Sequence, residues 1–485
     1  MKYQPIQNFI NGNFVNASTN KTLDVVSPLD GNHLSTVPMS SSKDLDEAVQ
    51  AAKKAFPSWS KTPIKERVQV FFRYKTLLEK HLKELSELCS EENGKTYGES
   101  VAEIEKCIEL SEFAISLPQL TTGEVLEVSR GVECRTEHVA LGVVASIVPF
   151  NFPSMVPNWT LPNAIALGNC MIMKPSEKVP LSCGKIAELL KEAGLPDGVF
   201  NVVHGDVEIV NAICDHPNIE AVSFVGSTKV AKIVYQRATN NLKRCLALGG
   251  AKNHLMVLPD AIPGMTAQNV AASMSGCAGQ RCMAASAMVG VGNIDHIVEK
   301  ICDEARKIVP GENLGAVINK ESQERIERFI SEAEKNGAKI LVDGRNTKVK
   351  GKENGTYVGP TVIDYVTPEM SVATEEIFGP VISIMRTNTV DEALAIENAN
   401  PYGNAASVFT QNGAMARYII DRASAGMIGV NVGVPVPREP FSFGGWNESK
   451  FGVGDITGKS SIEFWTKLKK STTKWNPEAG VNWMS

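Results

Sequence analysis

The sequence predicts an α/β protein made of two α/β domains with a small β arm. Three observations carry that prediction. Short, mainly apolar runs recur at 141–149, 169–173 and 221–225, the pattern of parallel strands buried on both faces. Helical segments such as 182–192 separate them, which gives the strand–helix–strand spacing of βαβ units. The pattern restarts near Leu255, and two stretches with strand character, 123–139 and the C-terminal one, belong to neither set. A chain of 485 residues exceeds what one core usually holds, so residues 1–122 with 140–248 are read as one domain and 249–445 as a second. Residues 123–139 and 446–485 are left as bridging segments. Orphan strands with exposed edges need a partner, so the arm is read as an oligomerisation element.

In chain order, residues 1–40 read as short strands and turns, with Asn11-Gly12-Asn13 as a hairpin signal. Ser42 caps a helix that Pro57 should close, with Leu45, Val49, Ala52 and Phe56 on one stripe. A second helix follows Pro63 and breaks at Asn93-Gly94, and a third spans 100–117 and ends at Pro118. Residues 123–139 alternate as a strand pair. The first βαβ set follows, with a further strand at 200–203. The second set has strands at 255–258, 287–291, 339–342, 361–363, 381–385, 406–409 and 426–432. Its helices begin at Thr266, Ile294, Glu321, Val390 and Ala414, and a proline- and glycine-rich loop spans 435–454. Residues 461–466 read as a lone strand with a basic tail.

Composition excludes several classes. The formal net charge of -5 offers no basic field for nucleic acid. Ten cysteines are too few for a disulfide framework, no C-x-x-C pair occurs, and no histidine cluster stands near Cys277 and Cys282, so no metal site is expected. The first 14 residues lack a positive region followed by an apolar run, and no 18-residue uncharged apolar stretch occurs, so neither a leader nor a membrane span is expected. A reducing cytoplasmic location follows as the expectation.

The chemistry-bearing stretch is Gly276-Cys277-Ala278-Gly279-Gln280-Arg281-Cys282-Met283-Ala284-Ala285. It leaves a helix, is rich in small residues, and sets an arginine beside one of two cysteines. Backbone N–H groups and Arg281 near Cys282 would favour thiolate over thiol. The plainer alternative is a small buried hydrophobe, which is also the reading of Cys277.

The chain resembles the aldehyde dehydrogenase superfamily over essentially its whole length. The resemblance rests on Pro149-Phe150-Asn151-Phe152-Pro153, Lys174-Pro175-Ser176-Glu177, Phe224-Val225-Gly226-Ser227-Thr228, Gly279-Gln280-Arg281-Cys282, Glu375-Glu376-Ile377-Phe378-Gly379-Pro380 and Gly429-Val430-Asn431, in that order. Gly250-Ala251-Lys252-Asn253-His254, Ile165-Ala166-Leu167-Gly168-Asn169, Gly433-Val434-Pro435-Val436-Pro437 and the phenylalanine-rich loop 440–443 make it most similar to the CoA-acylating branch, the methylmalonate- and malonate-semialdehyde dehydrogenases.

The resemblance implies that Cys282 adds to an aldehyde and that Asn151, with the Cys282 backbone N–H, stabilises the resulting oxyanion. Arg281 is implied to grip a substrate carboxylate, with Phe152 and Phe443 beside the substrate. Lys106 stands where this branch has a second arginine; it keeps the charge and loses the planar fork. For NAD, Lys174 and Glu177 are implied to hold the adenosine ribose, and Gly226 and Ser227 to open a helix toward the pyrophosphate. Glu376 would hold the nicotinamide ribose, with Phe378 and Phe150 beside the cofactor. Glu177 disfavours a 2′-phosphate and so points to NAD over NADP. Ala231 replaces a glycine usual in that helix.

One absence matters most. Hydrolytic relatives carry Glu-Leu-Gly-Gly-Lys, whose glutamate activates water; here Ala247 or Leu248 occupies that place. Without that base, water attack on an acyl-enzyme should lose a factor of about 10²–10⁴. The implied activity is NAD-dependent oxidation of a small anionic semialdehyde, with CoA as co-substrate taking the acyl group. The alternative is hydrolysis to a free acid with another base, such as Glu376. A homotetramer, or a homodimer, is expected.

Overall fold

A computed structural model of the chain describes residues 1–475. Its framework is two open, mostly parallel sheets. The first has eight strands in the order Asn13–Val15, Asn8–Ile10, Phe200–Val202, Cys170–Lys174, Val143–Ile147, Ala221–Val225, Arg244–Leu248 and Lys450–Phe451. The five central strands are parallel and the flanking ones antiparallel. Strand order reverses between Val143–Ile147 and Ala221–Val225, so their carboxyl ends splay apart into a crevice, the place where such sheets take ligands.

The second sheet runs Lys339–Val342, Thr361–Asp364, Val381–Thr387, Ala285–Val291, Asn253–Val257, Ala405–Phe409 and Met427–Val430, parallel except at its first strand. Both faces are covered. Met256 and Val289 pack into one apolar cluster, while Leu255, Val257 and Met288 pack into the other. That alternation explains why these strands read as unbroken apolar runs rather than as apolar–polar alternation.

The leftover strands find each other. Thr466–Lys474 pairs antiparallel with Val132–Ala140 from Thr466↔Ala140 to Lys474↔Val132, and Glu124–Ser129 lies on the far side with every residue exposed.

Several expectations need correction. The first helix is capped by Ser41, not Ser42, through a capping box with Asp44, and it passes Pro57 to end at Lys61. The expected second helix is broken at His81 into Ile64–Lys80 and Leu82–Asn93, and the helix expected at 100–117 is capped by Thr96 with Glu99 and likewise runs past Pro118 to Leu120. Both prolines lie in the last turns, where the lost bond leaves most of the helix intact. Residues 461–466 are not a strand: Ser460–Trp465 is a short helix, and the strand is the basic tail that follows. The 446–485 segment also divides. Trp446–Asn447 pairs with Tyr402–Gly403, and Lys450–Phe451 edges the first sheet. Residues 476–485 of it lie outside the described residues.

Asn169 joins three of these pieces from a fully buried position. Its Oδ1 accepts from the N–H groups of Leu141 (2.8 Å) and Gly142 (3.2 Å), and its Nδ2 donates to the carbonyls of Ala164 (3.0 Å) and Trp465 (2.9 Å). Asn169→Ala orphans all four groups and is expected to cost about 2–4 kcal/mol, read as a lowered urea midpoint; an unchanged midpoint would contradict the assignment.

Candidate active site

The crevice at the strand-order reversal is a cavity of about 590 Å³. Its walls bring together Phe150, Asn151, Phe152, Lys174, Glu177, Gly226, Ser227, Cys282, Glu376 and Phe378 of the sequence-selected residues. A larger cavity of about 740 Å³, between the N-terminal segment and the helices at 82–93 and 181–192, contains none of them. A third, of about 640 Å³, is a tunnel lined by Lys106, Phe152, Arg281, Cys282 and Phe443. Cys282, Phe152 and Trp159 line both crevice and tunnel. The thiol therefore sits where the two meet.

The cysteine turn is built by backbone geometry. The Pro263–Ser275 helix ends, and Cys277 (φ 52°), Ala278 (φ 53°) and Gly279 (φ 71°) then take three successive left-handed conformations that reverse the chain. Residue 279 has to be glycine, since a Cβ there would stand 2.0 Å from the Gly379 carbonyl oxygen. Cys277 thus lies in the turn, not in the helix, and its N–H donates to Glu99 (2.5 Å). The Cys282 carbonyl accepts from Asn253 Nδ2 (2.8 Å) and Asn404 Nδ2 (2.9 Å). Asn151 Nδ2 donates to the Gln280 carbonyl (2.9 Å), and Gln280 Oε1 accepts from the Ile318 N–H (3.0 Å). The loop bearing Asn151 and the turn bearing Cys282 are stitched directly.

That loop rests on a buried ion pair absent from the sequence reading. Lys95 Nζ lies 2.5 Å from Glu103 Oε2, with both side chains fully buried. Lys95 also donates to the Asn151 carbonyl (2.9 Å) and stands 4.2 Å from the Phe152 ring centroid. Glu103 Oε1 accepts from the N–H groups of Ser154 (2.8 Å) and Met155 (2.9 Å), which open the Met155–Ala166 helix. The sequence held one clue: Glu103 falls on the buried stripe with Ser100, Ile104 and Cys107, where an unpaired charge would be costly. Asn404 and Arg325 were also missed. Each stands among other polar residues in its stretch, and only the fold singles it out by bringing it to the site.

The expected thiolate environment is not what the structure shows. Burial, followed by the charge of Glu376, pushes the Cys282 thiol up to about 12, and the backbone N–H groups and Arg281 only partly oppose this. Glu376 is itself raised to about 7 by burial, against the Ala251 N–H (3.0 Å) and the charges of Arg325 and Lys252, which lower it. Lys252 is lowered to about 7 by burial. Arg281 is partly turned away: its Nη2 donates to the carbonyls of Ala272 (2.8 Å) and Ser273 (3.0 Å), and its buried Nε has no protein partner among the described residues. Lys106 is held by Glu439 (2.6 Å) and Glu109 (3.2 Å).

Cofactor attributes gather in the crevice. Ser227 precedes the Thr228–Asn240 helix without capping it through its side chain, which leaves that helix end open toward an anion. Ala231 is fully buried in this helix, so its methyl is accommodated. Lys174 and Glu177 pair at 3.3 Å, and the Phe150 and Phe378 rings meet edge to face at 5.9 Å. A positive helix end between two ribose-competent carboxylates, Glu177 and Glu376, fits a dinucleotide. The carboxylate-free position is equally plain. Ala247 and Leu248 are buried within the first sheet, where Leu248 pairs with Val225 and Lys450. Glu376, Glu177 and Asp206 are the carboxylates on the crevice wall.

A thiol at the meeting point of a dinucleotide-type crevice and an apolar tunnel, on two α/β domains, defines a thiol-dependent oxidoreductase class. The chain belongs to the aldehyde dehydrogenase family, whose model matches residues 14–471. It is 43% identical over 480 residues to malonate-semialdehyde dehydrogenase 2 of Geobacillus kaustophilus, covering 97% of this chain and 99% of that protein. It is 41% identical to the mitochondrial methylmalonate-semialdehyde/malonate-semialdehyde dehydrogenase (acylating) of Mus musculus, covering 97% and 89%. A Sinorhizobium meliloti crystal structure in complex with NAD superposes with a TM-score of 0.97 at 40% identity, covering 99% of each chain.

Two outcomes test this geometry. Iodoacetamide labelling of Cys282, followed by peptide mass mapping, should be slow at neutral pH and still rising near about pH 10, because only the thiolate reacts. Glu376→Gln removes a negative neighbour, lowers the thiol pKa and should speed labelling; a wild-type plateau near about pH 7 would contradict this. Glu103→Gln strands the buried Lys95 charge and should cost about 3–5 kcal/mol in urea unfolding, with Lys95→Met in the same chain recovering part of the loss.

Proposed function

We propose that the protein oxidises malonate semialdehyde or methylmalonate semialdehyde with NAD and transfers the acyl group to CoA, giving acetyl-CoA or propionyl-CoA. The observation that carries this reading is that Ala247 and Leu248, one of which stands where hydrolytic relatives carry the water-activating glutamate, are both buried apolar residues of the first sheet, so no general base occupies that place.

Cys282 Sγ adds to the aldehyde carbon. Asn151 Nδ2 and the Cys282 backbone N–H donate to the oxygen that becomes negative, with Asn151 exchanging its Gln280 bond for that one. When bound, NAD would supply the hydride acceptor and a positive charge that opposes the Glu376 charge, which adds to burial in raising the Cys282 thiol. The oxidised product remains as a thioester on Cys282. For a malonate-type chain the carboxyl group is β to the thioester carbonyl, so it leaves as carbon dioxide, its bonding pair passing to the thioester enolate, which takes a proton from water at the α-carbon; the thiolate of CoA then takes the acyl group and releases the Cys282 thiolate. Glu177 and Glu376 accept from ribose hydroxyls, and Glu177 at the adenosine end disfavours a 2′-phosphate. Phe152 and Phe443 bound the substrate's apolar side, with Phe443 stacked on Trp159 at 4.6 Å.

A second reading, hydrolysis to a free acid, draws on Glu376, whose carboxyl is held near 7 on the same crevice wall and could serve as a base. The buried thiols of a chain whose ten cysteines are all free suit a reducing cytoplasmic setting. Among the described residues no helix is long and apolar enough to cross a membrane. The fully exposed outer strand Glu124–Ser129 suits pairing with another copy, as in a homotetramer or homodimer.

Turnover of malonate semialdehyde with NAD should be at least about tenfold faster with CoA than without, with acetyl-CoA as product. Equal rates and a free acid would favour the second reading, and Glu376→Gln would then abolish acid formation.

A further inference from the structure

The tunnel holds a carboxylate of its own on one of the cations a substrate carboxylate would use. Lys106 projects from the rigid Tyr97–Leu120 helix, and Glu439 from the irregular loop that follows Met427–Val430. Their side chains are 17% and 9% exposed, and Nζ and Oε2 stand 2.6 Å apart. Both line the tunnel that Cys282 also lines. Lys106 has a second anionic neighbour in Glu109 at 3.2 Å. Arg281, the other inner cation, has its Nη2 committed to two backbone carbonyls. Arg438 is largely exposed and reaches Glu109 only at 3.9 Å.

Phe152, Trp159, Met283 and Phe443 make the inner tunnel apolar, so a carboxylate entering it loses water and needs a cation in exchange. We propose that Glu439 is a specificity-determining residue: a built-in competitor for the substrate's carboxylate, which must displace Glu439 from Lys106 to bind. This rests on the reading of a malonate-type semialdehyde as substrate. The lysine matters to the device. A guanidinium could grip two carboxylates side by side through its fork, whereas a single ammonium beside Glu109 and Glu439 is shared poorly with a third anion. The loop end has no regular secondary structure to restrain it, so Glu439 is the partner that yields.

The consequence is reduced discrimination between anionic and neutral aldehydes. Removing the competitor should restore it. Glu439→Gln is expected to raise kcat/KM for malonate semialdehyde relative to propanal, a neutral aldehyde of equal chain length, by roughly tenfold through KM. In a Lys106→Met background the same substitution should leave that ratio unmoved, because the contested cation is gone. Malonate as a competitive inhibitor of propanal turnover gives a second readout independent of semialdehyde chemistry: its Ki should fall with Glu439→Gln. Should wild-type protein fail to turn over malonate semialdehyde while that Ki still falls, the substrate assignment is wrong and the competition stands. A ratio and Ki unchanged by Glu439→Gln, or both aldehydes impaired alike, would show a structural pair and overturn the proposal. Selective loss of the anionic substrate would also overturn it, by showing that Glu439 supports Lys106 rather than opposing the substrate.

Discussion

The buried pair of Lys95 with Glu103 is the constraint on which the site depends. Two charges fully removed from water are tolerated only if every remaining donor and acceptor is matched, and here the matching is done by the site loop itself. Lys95 takes the Asn151 carbonyl, and Glu103 takes the N–H groups that open the next helix. The loop cannot drift without stranding a charge. Asn151 then reaches across to the Gln280 carbonyl, two residues before Cys282, so the first domain's loop and the second domain's cysteine turn are fixed with respect to each other.

Upon that frame the two sheets divide the labour. The first supplies the crevice at its strand-order reversal and the open helix end at Ser227. The second supplies the sharp turn that ends at Cys282, with Asn253 and Asn404 pinning its carbonyl. The thiol is half-buried where the two cavities meet, and burial, followed by the charge of Glu376, pushes it toward the protonated form.

Most of the framework was legible because parallel strands buried on both faces read as apolar runs, and all the strands expected in the second domain lie within a few residues of their observed positions. The Met155–Ala166 helix escaped notice because nearly all of it is buried, so no polar face marked a period. The strand at Arg244–Leu248 was also missed: it is only five residues long and opens on a charged, exposed residue. Ser460–Trp465 was misread because the β-favouring Ile462, Phe464, Trp465 and Thr466 were judged without their neighbours, whereas the true strand is a basic segment whose pairing to Val132–Ala140 could not be read locally. In the site, motif residues such as Cys282, Asn151 and Glu376 were visible and came together in the crevice. The expected thiolate was not found, because burial in the fold raises the thiol first and the charge of a glutamate 94 positions away adds to it, while an arginine adjacent in sequence is partly occupied by helix carbonyls. Lys95, Glu103 and Glu439 act through contacts that only the fold creates.

The central claim is that an acyl group on Cys282 is shielded from water for want of an activating carboxylate at position 247 or 248. Intact-mass spectrometry after mixing the protein with NAD and malonate semialdehyde, without CoA, tests it most directly. The account predicts an acyl adduct that maps to Cys282, outlasts many turnover times and vanishes on addition of CoA. Stoichiometric free acid with no adduct at any time would contradict it.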